Sequence, residues 1–254
     1  MTRITLLTDF GTADGYVGAM KGVIASIAPE AVVDDVAHDL PPGDVRAAAW
    51  TLARYWRLYP AGTVHVAVVD PGVGSERRAL AASCDGRLLL APDNGVLTRV
   101  FDEAPPAALV SIEDRRHLRE PVSATFHGRD VFAPAAAHLA RGLPVADLGP
   151  AVRDPLLFQV PPPSREADSI HGEVVHVDRF GNLITNIPGE WCAGGAAVRV
   201  GQDTVGAVRR TYSDVVPGEA LALVGSAGLL EISVRDGSAA ERLGVGRGAA
   251  VEVK

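Results

Sequence analysis

From Val64 the chain reads VHVAVVDPGVGSERRAL. Up to Asp70 this run is mostly β-branched and apolar, the pattern of a strand covered on both faces. Such a strand needs layers on either side of its sheet, so it points to an α/β architecture. The run ends at Asp70, where Pro71, Gly72 and Gly74 turn the backbone. A carboxylate is thereby expected at the carboxyl end of a central strand, where open α/β sheets place their ligands. Arg77 and Arg78 follow closely enough for a guanidinium to fold back onto it.

The segments around it alternate. Ile4 to Thr8 predicts a strand, Tyr16 to Ile27 a helix stopped by Pro29, and Ala31 to Val36 a second strand. Asp44 is placed to cap a helix over Val45 to Tyr55. Ala79 to Cys84 and Arg87 to Ala91 predict a hairpin around Asp85-Gly86. Val96 to Phe101 predicts a helical turn, Leu109 to Ile112 a short strand, and Val131 to Ala140 a helix. Residues 1–160 are therefore expected to form an α/β sheet domain. PPPSREADSI (161–170) reads as a linker. From residue 171 to 254 only short β-rich runs follow, with one helical segment at Ala239 to Leu243, which predicts a smaller C-terminal β-barrel or sandwich.

Composition removes several function classes. The 254 residues carry a net charge of −7, which argues against a nucleic-acid backbone as partner. No run approaches the length of a membrane-spanning helix, and the N-terminus lacks a secretory signal core, so a soluble cytoplasmic protein is expected. Cys84 and Cys192 have neither disulfide-framework nor zinc spacing.

Polar residues at strand ends carry the chemistry: Asp9, Asp70 and Asp178. A carboxylate there can accept from a ribose diol, hold a metal or act as a base. His127 lies in TFHGRD, between an aromatic residue and a Gly-Arg-Asp loop. In DRFGNLITNIP, Phe180 offers a face for a base and Asn182 the donor and acceptor for an adenine edge, while the same residues also suit a tight hairpin. In GSAGLLEI, Ser226, Ala227 and Gly228 let backbone N–H groups approach an anion or simply turn the chain. TDFG and GVGSER lack the surroundings of a kinase or dinucleotide motif. A metal-dependent nucleotide hydrolase using Asp9, Asp70, Asp93 and His127 stays open, although no pair has diagnostic ligand spacing.

Taken together, TDFGTADGYVGAMKG, PPGDVRAAAW, VVDPGVGSERRAL, APDNGVL, TFHGRDVFAP, DRFGNLITNI and GSAGLLEISVRDGSAAERLG resemble the adenosine-forming S-adenosylmethionine hydrolases, relatives of the fluorinases and chlorinases. The resemblance implies hydrolysis of S-adenosyl-L-methionine to adenosine and L-methionine, without cofactor or metal; a non-catalytic adenosine or S-adenosylmethionine binding module stays open beside it. It also implies a homotrimer with active sites between subunits. The implied catalytic set is Asp70, Arg77 and His127. Asp9 would hold the ribose hydroxyls, with Phe10 also at the substrate and Trp50 and Phe126 as apolar walls. Asp178 and Ser226 would hold the methionine end; Asn182 and the backbone at Ala239 would read the adenine, with Phe180 and Glu231 close by. The halogenases carry a tyrosine-containing loop in place of DPGVGS, and the fluorinase a serine in place of Gly128, so water is the expected nucleophile.

Overall fold

A computed structural model describes residues 2–192 and 195–254 of the chain. They divide into two compact units, Met1–Phe158 and Gln159–Lys254.

The first unit is built on a six-stranded sheet. Its strands are β1 (Arg3–Thr8), β2 (Val32–Ala37), β3 (Val64–Val68), β4 (Ala79–Cys84), β5 (Arg87–Pro92) and β6 (Ala108–Ser111), in the order β2-β1-β3-β5-β4-β6. β2, β1, β3 and β5 run parallel, whereas β4 pairs antiparallel with β5 and β6. All five residues of β3 are buried, as an apolar run between two layers requires. Helices α1 (Tyr16–Ile27) and α4 (Ala133–Ala140) cover one face, where Met20, Ile24, Ala136 and Leu139 pack on Ile4, Leu6, Val64 and Val66. Helices α2 (Val45–Tyr55) and α3 (Thr98–Glu103) cover the other, with Leu52, Val100 and Phe101 on Leu7, Ala67 and Val69. Asp44 caps α2 by accepting the Ala47 N–H at 2.9 Å.

The strand order places β2 and β3 on opposite sides of β1, although the chain visits them consecutively. The carboxyl ends of β1 and β3 therefore flank a topological switch point, where neighbouring connections diverge and leave a crevice. Thr8 is in register with Val68 there, which brings the segments beginning at Asp9 and Asp70 to one edge of the sheet.

The second unit holds β7 (Ser164–Arg165), β8 (Ile170–Val177), β9 (Leu183–Pro188), β10 (Ala197–Val200), β11 (Asp203–Arg209), β12 (Ala220–Val224), β13 (Leu229–Val234) and β14 (Ala250–Val253), with one short helix, α5 (Ala239–Leu243). Seven of these, β8 to β14, close into a barrel through the pairing of β14 with β8, in register from Ala250 opposite Glu173. Alternating inward residues such as Val198 and Val200, or Leu230, Ile232 and Val234, fill it. β7 pairs along the outer end of β8, so the proline-rich stretch contributes a strand of its own.

Candidate active site

Arg77 returns over the DPGVGS turn and meets the carboxylate that ends the β3 segment. Its Nε donates to both Asp70 oxygens at 3.0 Å, and its Nη2 closes a second, shorter contact with Asp70 Oδ2. The pair is sheltered, with the Asp70 side chain 4% and the Arg77 side chain 10% exposed. The guanidinium carbon also lies 5.7 Å from the centre of the Phe132 ring. The same Nη2 reaches Nδ1 of His127 at 2.7 Å. A guanidinium can only donate, so Nδ1 accepts, and the neutral imidazole carries its proton on Nε2. Burial, followed by the Arg77 cation, pulls the His127 pKa below the ordinary histidine value, against the opposing pull of Asp70 and Asp130.

His127 is presented by an unusual piece of backbone. A π-helical turn at Gly128–Phe132 runs directly into α4. Such wider turns are rare and are frequent at functional sites. Behind it, the fully buried Asp130 carboxylate accepts from Arg129, Arg119 and the Ser123 N–H, tying the loop before His127 to the helix after it. In front, the DPGVGS turn presses on that loop at Gly74. Gly74 has φ +81°, and a Cβ there would collide with the Ala124 carbonyl oxygen.

A cavity of about 350 Å³ opens beside the cluster, lined by Phe10, Val68, Asp70, Val73, Phe126, His127 and Gly128, among others. Phe10, Tyr16 and Phe126 pack edge to face in its wall, with ring centres 5.2 to 6.0 Å apart. A Cβ on Gly128 would sit 3.1 Å from the Phe10 ring and 3.2 Å from the Met20 sulfur, so a larger residue there requires those side chains to give by a few tenths of an ångström. Asp9, just after β1, is not part of that lining, and its Oδ2 accepts the Gly43 N–H at 2.8 Å. Trp50 lies outside that lining: it is buried on α2, with the Arg99 guanidinium 4.3 Å over its ring. Tyr16, Val73 and Arg129 line the cavity without having been singled out in the sequence, because nothing local distinguishes them from surface residues.

The second unit brings together most of the residues expected at the adenine and methionine ends. Asp178 Oδ1 accepts the N–H groups of Phe180 and Asn182 at 2.9 Å, and its Oδ2 accepts from the Asn182 side chain at 3.0 Å. Its carboxylate thus organises its own turn. Gly181 packs so tightly on Ser238, the N-cap of α5, that no side chain fits there, and its carbonyl accepts the Ala240 N–H at 3.0 Å. The turn is thereby fixed beside Ala239. Phe180 is 75% exposed, while Asn182 is buried beneath it. Both line an open depression with Thr211, Tyr212 and Arg235. No sequence motif marks Tyr212, whose hydroxyl donates to the buried Glu231 carboxylate at 2.6 Å. Ser226 is exposed in the turn between β12 and β13, whose Gly225 lies against Glu231.

Among the described residues, no group of three or more His, Cys, Asp or Glu side chains is arranged to hold a metal ion. Asp93, one of the conceivable ligands, is committed to Arg78 and to the Leu156 N–H, both at 2.7 Å.

A hydrolase from Salinispora tropica named (R)-S-adenosyl-L-methionine hydrolase is 45% identical over 256 residues, covering 95% of this chain and 94% of that protein. One of the same name from Thermus thermophilus is 45% identical over the whole of both chains. The crystal structure of an uncharacterized conserved protein from Thermotoga maritima superposes with a TM-score of 0.92 at 40% identity, covering 98% of this chain and 99% of that one. Residues 4–149 match the N-terminal domain and residues 172–252 the C-terminal domain defined for the SAM hydroxide adenosyltransferases. The chain belongs to the SAM hydroxide adenosyltransferase family.

Proposed function

We propose that the chain hydrolyses S-adenosyl-L-methionine to adenosine and L-methionine by in-line attack of water on the ribose C5′. The observation that carries this reading is the sheltered Asp70–Arg77–His127 cluster beside a small cavity at the switch point of the sheet. The sulfonium leaves as a neutral thioether, so no acid has to protonate it. The chemistry lies in presenting the water. Asp70 holds Arg77 through both oxygens and keeps further lone pairs for a water hydrogen. His127, with its proton on Nε2, offers the water oxygen a donor and not a base. As the C5′–O bond forms and the C5′–S electron pair passes to sulfur, the bound water becomes strongly acidic. Its proton passes to the Asp70 carboxylate, which lines the cavity. Alignment of water, C5′ and sulfur supplies a large part of the rate, within the roughly 7–11 kcal/mol available to well-oriented reactants.

A halide is poorly suited to the same place. The Asp70 carboxylate faces it, and Gly128 has neither a hydroxyl nor the room to gain one without displacing Phe10 or Met20. In the second unit, the exposed Phe180 ring, Tyr212 and Asn182 form a surface suited to an adenine, with Glu231 holding Tyr212. Asp9 is assigned to the ribose hydroxyls, and Asp178 and Ser226 to the methionine end. Trp50 is assigned to the substrate by resemblance alone.

The reading includes a cytoplasmic homotrimer with active sites shared by neighbouring subunits and no cofactor. No helix among the described residues is long and apolar enough to cross a membrane. A trimeric mass in solution is the expected result of light scattering. For the reaction, purified protein is incubated with S-adenosyl-L-methionine in isotopically labelled water containing EDTA. Adenosine labelled at the 5′ oxygen is expected; saturable binding without adenosine would leave a binding module instead.

A further inference from the structure

Behind the β1 end of the cavity runs a chain of hydrogen bonds that the proposed reaction does not use. His38, 6% exposed, follows β2 and faces Thr8, which is fully buried at the end of β1. Thr8 Oγ1 lies 2.8 Å from His38 Nδ1 and accepts the Phe10 N–H at 3.2 Å. His38 Nε2 lies 2.9 Å from Asp35 Oδ1, and Lys21 on α1 pairs with the other oxygen of that carboxylate. The His38 carbonyl also accepts the Gly11 N–H at 2.7 Å.

One assignment of protons satisfies every member. Asp35 only accepts, so His38 donates to it from Nε2. In the neutral ring Nδ1 is then an acceptor, and the one hydrogen it can take is that of the Thr8 hydroxyl. This leaves the Thr8 oxygen to accept the Phe10 N–H. The donors point one way along the chain, from Phe10 through Thr8 and His38 to Asp35. Reversing the imidazole would set an N–H against a hydroxyl and a lone pair against a carboxylate. The order resembles the acid–histidine–hydroxyl order of hydrolytic triads. Here, however, the hydroxyl is buried and spent on backbone, so the network fixes geometry and attacks nothing.

What it fixes is the segment 9–11. Asp9 is held from the front by Gly43, and Phe10 packs against Phe126 and against the site of Gly128. We propose that His38, oriented by the Lys21-paired Asp35, is a positioning residue: through Thr8 it sets Phe10 and Asp9 against the reacting water and the ribose. The proposal rests on the hydrolase reading for its kinetic consequence, but not for its proton assignment.

The test compares His38→Asn, whose amide oxygen can still accept the Thr8 hydroxyl, with His38→Leu, which cannot. Displacement of a reacting group by about 1 Å can cost about a hundredfold in rate. The Leu variant is therefore expected to lose about tenfold or more in kcat, with KM moving less than about threefold. The Asn variant should recover most of that loss while melting no higher than the Leu variant. Equal kcat in the two, or full kcat in both, overturns the proposal. Should His38→Leu not fold, Asp35→Leu at the solvent-facing end of the chain replaces it, with Asp35→Asn as its conservative partner. Independently of turnover, nitrogen NMR of the wild-type imidazole should show the His38 proton on Nε2; a proton on Nδ1 alone overturns the assignment. A wild-type protein that releases no adenosine but shows the expected His38 tautomer refutes the hydrolase reading and leaves the network standing.

Discussion

Arg77 Nη2 donates to His127 Nδ1 across 2.7 Å, and the same nitrogen contacts the Asp70 carboxylate. In the proposed reaction, one guanidinium therefore fixes both the side chain that accepts from the water and the tautomer of the side chain that donates to it. Removing a preorganised polar group of this kind typically costs a hundredfold to a thousandfold in kcat. Asp70→Ala and Arg77→Met are each expected to lose about that much. His127→Gln, which keeps an N–H near the position of Nε2, should retain about ten times the rate of His127→Ala. Single-turnover release of adenosine checks all four, and Asp70→Ala with full turnover would remove the central assignment.

The pH profile follows from the same contact. Burial and Arg77 lower the His127 pKa, so at neutral pH the ring is uncharged and its Nδ1 is available to Arg77. On acidification the ring gains a proton on Nδ1 and the bond to Arg77 is lost. Activity is expected to be level through neutrality and to fall only on the acid side of the usual histidine range. An acid limb centred above pH 7 in kcat, or a His127 NMR titration there, contradicts this.

A second histidine governs stability and takes no part in the site. His65, fully buried in β3, bonds Thr5 at 2.8 Å and packs edge to face on the rings of Tyr55 and Tyr59. Burial, with Arg87 nearby, lowers its pKa from 6.5 to about 4. The unfolded chain therefore binds the proton first as pH falls. Stability is unaffected above 6.5, drops between 6.5 and about 4, and changes no further from this cause below that. The full loss is about 3 kcal/mol. Urea denaturation from pH 7 to pH 4 should show this slope, reduced in His65→Leu whatever that variant's stability at pH 7.

Gly74 joins the two halves of the Asp70–Arg77–His127 cluster. Any Cβ there meets both a left-handed backbone and the Ala124 carbonyl. Gly74→Ala is expected to cost about 1–3 kcal/mol in stability. By moving the Asp70–Arg77 turn away from the His127 loop, it should also lower kcat well below what the stability loss predicts at 25 °C. Unchanged kcat in a destabilised variant would show that the two loops are not coupled.

Much of this was legible in the residues because local signals agreed with the fold. Pro29 and Asp44 bound α1 and α2 where expected, and Asp85-Gly86 makes the hairpin turn with φ +46° and +71°. Spacing alone brings Arg77 or Arg78 to Asp70, and its neighbours mark out His127, whereas the grouping of Asp70, Arg77 and His127 rests on the family resemblance. β11 was not legible: its residues are half-exposed and lack alternation, and Gly206 at φ +101° sits beside an irregularity in its pairing with β10. α4 was expected from Val131, but its first turn is π-helical and true helix begins at Ala133. Tyr212 was invisible for a different reason. Local sequence explains only the capping box that places it, with Thr211 and Asp214, whereas its partner Glu231 arrives through barrel register.

The β8–β14 pairing makes Ala250–Val253 the last stave of a hoop. Removing one stave from an open sheet shortens it, but removing this one would expose two new edges at once, on β8 and β10, with unpaired N–H and C=O groups along both. The four residues of that strand therefore keep the whole barrel from offering itself as a template to other chains.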